Sequence, residues 1–151
     1  MLIRLLGTIA ALGLFGLWSA PVAAQQTVAA YFAAFGPQDY VNSRGQQLDS
    51  FAAILLQDRA NYHRWGRPDW PDQSDPIFAD RAARAQIPAL FRAYPQNAAW
   101  NQFVTPPSGA LQEAEVRIYV CGRGGVLTHL IVNPANGDGY DTCEGPISAG
   151  G

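Results

Sequence analysis

The sequence predicts an α+β domain: a long helix in the N-terminal half and a second helix, packed on a small antiparallel sheet with a C-terminal hairpin. Three observations carry this. Leu48, Phe51, Ala52, Leu55, Leu56 and Tyr62 recur at helical spacing. Val116, Ile118 and Val120 alternate with Arg117, Tyr119 and Cys121 at the period of a half-buried strand. Helical patterns precede strand patterns instead of alternating with them, which separates α+β from α/β folds.

Each element follows from local chemistry. Thr27 to Phe35, rich in alanine and aromatics, reads as a strand stopped by Gly36-Pro37. Ser43 and Gln46 have the spacing of a capping box, so the long helix is expected from there to about Arg64, with Gly66 and Pro68 ending it. Asp75-Pro76 carries the chemistry of a helix start. A second helix is therefore expected over Ile77 to Gln86, with a break at Pro88, a further turn to Arg92 and closure at Tyr94-Pro95. Trp100 to Val104 is a candidate extra strand, because a lone hairpin is rarely stable. The hairpin itself joins Val116–Cys121 to Val126–Val132 through Gly122-Arg123-Gly124-Gly125. A turn centred on Arg123-Gly124 pairs His129 with Ile118 on the apolar face.

The compartment is read from both ends. Arg4, an apolar run from Leu5 to Trp18 and small residues up to Ala24 form the three parts of a cleavable secretory signal. Residues 1–24 are accordingly expected to be removed and 25–151 to form one exported domain. Val22 and Ala24 would precede the cut, and Gln25 follows it in place of the cysteine that a lipid anchor requires. The remaining 127 residues bury about two-thirds of their unfolded surface. Cys121 and Cys143, the two cysteines, are expected to pair in an oxidising compartment, stabilising by roughly 3 kcal/mol. The expected location is periplasmic or secreted, with no stable membrane anchor after cleavage.

Charge excludes whole classes of partner. Nine arginines face twelve acidic residues once Arg4 is removed, and lysine is absent. No basic footprint for nucleic acid or anionic lipid results. His63 and His129, the two histidines, have no zinc-ligand spacing. Asp69-x-x-Asp72-x-x-Asp75 has the wrong period for calcium, and the loop Asn136–Asp141 lacks the first and last ligands of a calcium loop. No nucleophile elbow surrounds Ser108, and no phosphate-binding glycine loop is present. No metal or cofactor is expected.

One polar cluster stands out. At about 100° per residue, Arg59 falls within the apolar stripe of the long helix, flanked by Tyr62 and His63 and edged by Asp58. A guanidinium there needs carboxylates, carbonyls or a wet cleft, since an unpaired buried charge costs several kcal/mol. Asp69, Asp72 and Asp75 are close in sequence and offer that pairing. Asp58, Arg59, Tyr62 and His63 are thus the candidate ligand-binding residues, with a structural network as the competing role. Trp65 and Trp70 bracket a proline-rich loop and could stack on a sugar or peptide. The expected function is a non-catalytic exported module that binds a protein or small ligand. The alternative is a small acid-base hydrolase built on His63, Asp58 and Arg59.

Overall fold

The computed structural model describes residues 23–104, 115–137 and 139–148. The signal-like segment, apart from its last two residues, lies outside them, as do Ser108 and Asp138. The α+β class is as expected: the described residues form three α-helices, two 3-10 segments and two antiparallel sheets.

Strand β1 (Gln26–Ala33) pairs with β2 (Val116–Arg123), and β2 pairs with β3 (Val126–Pro134), both antiparallel. The third strand of the main sheet therefore comes from the segment before the long helix. Trp100 to Val104 is not a strand: it closes a run of 3-10 turns over Pro95–Phe103. Asn97 explains why this run is not a strand. Its side chain donates to the Leu130 carbonyl (2.8 Å) and accepts from the Val132 amide (3.1 Å), while Trp100 Nε1 donates to the Val132 carbonyl (3.1 Å). The outer edge of β3 is satisfied by side chains, which leaves no role for another backbone ladder.

Helix α1 spans Phe51–Trp65, shorter at its start than the sequence suggests. Ser43 and Gln46 are consumed by a closed turn in which the Asn42 side chain accepts the amides of Arg44 (2.9 Å) and Gln46 (3.1 Å). Val41 and Gln47 bridge across that turn. Ser50 is the real cap, accepting from the Ala53 amide. Gly66 ends the helix in the left-handed conformation, φ 61°, as its glycine predicts.

The second helix also breaks up. The Asp75 carboxylate caps the amides of Ile77 and Phe78, as a helix start should, but only a turn follows. Asp80 then caps α2 (Arg81–Arg84), and α3 (Ile87–Arg92) begins with Pro88 in its first turn.

One face of the sheet, Tyr31 and Ala33 with Val116, Ile118, Val120, Leu130 and Val132, packs on Phe51, Ile54 and Leu55 of α1 and on Ile87, Leu90 and Phe91. The opposite face is smaller: Tyr119, Cys121 and Ile131 with Cys143 and Tyr94. The expected Cys121–Cys143 disulfide is present there, with Cα atoms 5.3 Å apart. Cys143 sits between β4 (Gly139–Thr142) and β5 (Gly145–Ser148), a small second sheet that overlaps the end of the loop Asn136–Asp141.

The hairpin turns on Gly124 (φ 57°) and Gly125 (φ 82°), both in the left-handed region that favours glycine. That centre lies one residue beyond the expected one, and a bulge at Cys121/Gly122 shifts the register again. His129 consequently pairs with Cys121, not Ile118, and points away from the main core. It stacks on Tyr94 with ring centroids 5.5 Å apart, and burial lowers its pKa.

Candidate functional site

Helix α1 delivers Asp58, Arg59, Tyr62 and His63 to one place, and the loop from Arg67 to Pro76 closes over them. Arg59 is fully buried. Its Nε and Nη2 donate to the two oxygens of Asp58 (2.7 and 3.2 Å), and Nη2 also reaches Asp72 (3.1 Å). Nη1 donates to the Gln73 carbonyl (2.8 Å) and reaches Asp75 (3.4 Å). Five N–H groups thus meet five acceptor contacts, which is the full capacity of a guanidinium. The rings of Tyr31 and Tyr62 lie over it at 4.6 and 4.9 Å.

His63 joins the same network from the rim. Its Nε2 lies 2.8 Å from the Asp75 carboxylate, and the side chain is 8% exposed. The aspartates are themselves fixed from outside: Asp72 accepts the amides of Ala34 (2.9 Å) and Asp69 (2.9 Å). Three buried carboxylates around one guanidinium leave an excess of negative charge. Burial raises the pKa of Asp58 well above the ordinary value, against the pull of Arg59. It raises Asp72 as well, opposed by the Ala34 amide and by Arg59. Tyr31, whose hydroxyl is buried without a hydrogen-bond partner, is also pushed up by burial.

The four residues singled out from the sequence therefore converge, and Asp72 and Asp75 supply the partners that their proximity suggested. Tyr31 and Gln73 belong to the same cluster and carried no signal, because they arrive through tertiary contacts. Chemically the arrangement is closed: Arg59 has no donor left for an anion, and both Asp58 oxygens are held by Arg59.

A second carboxyl cluster also went unread. Asp39, fully buried, accepts the Asn61 amide group (2.8 Å) and the Gly36 backbone N–H (2.9 Å). Asp69 accepts that same Gly36 N–H at 3.0 Å. The approach is so close that a side-chain carbon at Gly36 would sit 2.4 Å from an Asp69 oxygen. Burial pushes Asp39 up to about 7; Asp69 adds to the rise, while the bonds from Asn61 and Gly36 oppose it.

Asn61 links this cluster to a cleft of about 330 Å³. The cleft lies between the turn after β1 and the C-terminal half of α1, lined by Gln38, Val41, Asn42, Ser43, Gln57, Asn61, Trp65 and Arg67. That volume is at the lower end for small-molecule sites. Trp65 is 53% exposed, and Trp70 farther along the loop is 95% exposed. Compared with protein-family models, curated proteins and solved structures, the chain matches none. Among the described residues no group of three His, Cys, Asp or Glu side chains is arranged to hold a metal ion. No helix among them is long and apolar enough to cross a membrane.

Proposed function

We propose that the chain is an exported, non-catalytic binding domain whose ligand occupies the cleft beside Trp65 instead of the Arg59 network. The observation that carries this reading is a contrast in satisfaction. Every donor of Arg59 is committed, whereas the Arg67 guanidinium and the Ser43 hydroxyl make no hydrogen bond among the described residues. Both groups are solvent-exposed and so accessible to a ligand beside the exposed indole of Trp65. The disulfide supports export, since such bonds persist in oxidising compartments.

A saturation-transfer NMR screen of residues 25–151 against sugars, amino acids and short peptides tests the reading. Ligands are expected whose signals vanish with Trp65→Ala; a panel without any Trp65-dependent binder overturns it. Intact-mass measurement on protein from its native source checks export separately, with a chain starting at Gln25 expected.

The hydrolase alternative has one observation in its favour, the imidazole of His63 oriented by Asp75 at 2.8 Å. It needs a reacting group to approach that imidazole, yet Asp58 and Arg59 are both committed to each other. Loss of a hydrolytic activity with His63→Gln at unchanged stability would favour it over binding.

A further inference from the structure

We propose that the ligand of this cleft is a carboxylated pyranose, an acidic sugar of the uronic-acid class; the proposal rests on the binding reading above. A sugar ring is amphipathic, with C–H faces and a girdle of hydroxyls, and the cleft matches both properties. Trp65 supplies an aromatic surface at the rim. The Arg64 guanidinium lies over that ring at 4.3 Å, fixing its orientation. Val41 adds an apolar patch. Hydrogen-bonding capacity toward hydroxyls comes from Ser43 and from the side-chain carbonyl oxygens of Gln38 and Gln57. The amide groups of both glutamines are already held, by Arg67 O and Asp69 and by Asn61 respectively. The free atoms of these residues are therefore prepositioned acceptors, not mobile ones.

The acidic group follows from charge. No Asp or Glu is among the residues that line the cleft, whereas Arg67 is, and its exposed guanidinium makes no hydrogen bond among the described residues. A planar guanidinium suits a carboxylate, which it binds in two parallel hydrogen bonds. Phosphate is the less suitable anion. The cleft adjoins the C-terminal half of α1, whose helix dipole is negative there, and a dianion would meet more repulsion than a monoanion. A peptide strand is also disfavoured, because Val41, the lining residue in an extended bridge, already pairs with Gln47.

Isothermal titration of residues 25–151 with digalacturonate, with neutral digalactose and with inorganic phosphate tests the class. Digalacturonate is expected to bind at least about tenfold more tightly than the neutral sugar, from one charge-assisted pair. Arg67→Met should abolish that preference while leaving thermal stability unchanged, and Trp65→Ala should weaken both sugars. Equal binding of both sugars, or a preference that survives Arg67→Met, overturns the acidic class and leaves the binding reading standing. So does phosphate competing with digalacturonate at equal concentration. If neither sugar binds but the wider screen yields a Trp65-dependent ligand, the class fails alone. If nothing binds in either experiment, both proposals fail.

Discussion

Arg59 shows how a single residue can be placed by its sequence and still be misjudged in its reach. Its position in the apolar stripe of α1 was legible, and so was its need for partners, because helical period and charge are local properties. Asp72 and Asp75 were legible as partners, but the rest of the set was not: Tyr31 comes from β1, nearly thirty positions earlier, and Gln73 contributes a backbone carbonyl that any residue would supply. Arg59→Met would leave Asp58, Asp72 and Asp75 facing one another, and a loss of about 3–5 kcal/mol is expected in urea denaturation. Arg59→Lys should recover little of it, since an ammonium cannot fill five planar donor positions. Asp39 was not legible at all, because nothing in Pro37-Gln38-Asp39 announces burial against a second carboxyl. Its folded pKa is raised from 3.8 to about 7, so the native state holds a proton that the unfolded chain has lost. Its contribution is therefore complete below about pH 4 and is lost as pH rises toward 7, with a slope approaching about 1.4 kcal/mol per pH unit. Asp58 and Asp72 shift in the same direction and steepen the fall. Asp39→Asn should make the stability profile shallower between pH 4 and 8; an unchanged slope would remove Asp39 from this account.

Elements were legible in kind and blurred in extent. Helix α1 and the β2–β3 hairpin follow from periodicity, but boundaries depend on which side chain wins the free amides. Ser43 and Ser50 are both credible caps, and Asn42 decides between them by closing its own turn around Arg44 and Gln46. Ser50→Ala is accordingly expected to cost about 1 kcal/mol and Ser43→Ala almost nothing, measured side by side by thermal unfolding. The hairpin register failed for a comparable reason. A bulge at Cys121/Gly122 is invisible to a pattern of alternating residues, yet it decides which face His129 occupies. The strand expected from Trp100 to Val104 was replaced by 3-10 turns because Asn97 does the work of a ladder with one side chain.

The whole molecule was legible as a class and as a covalent pattern. Two cysteines among so few polar motifs pointed to a disulfide, and the fold provides one on the lesser face of the sheet. The order of the strands was not legible: β1 precedes α1 and its partner β2 follows all three helices, a pairing that no local signal encodes. Replacing both cysteines by alanine is expected to lower stability by about 3 kcal/mol. The loss should be uneven. Hydrogen exchange should quicken first around β4 and β5, which the disulfide and the Asn133 contacts to Asp141 hold in place, while α1 and the main core stay protected. Uniform acceleration would instead show that the two faces unfold as one unit.

The contact between β1 and the turn joining β4 to β5 has a mechanical consequence. The amide and hydroxyl of Thr27 both donate to the Glu144 carboxylate, at 2.6 and 2.9 Å. Thr27 also pairs with Cys121, which is bonded to the neighbour of Glu144. Tension applied between Gln26 and Gly145 therefore reaches the β1–β2 ladder at its terminal pair. The hydrogen bonds of an antiparallel ladder lie across the strands, so such a pull opens them one after another instead of shearing them together. Pulled at these two residues, the sheet would peel from that corner at low force, with the loop between the cysteines still closed.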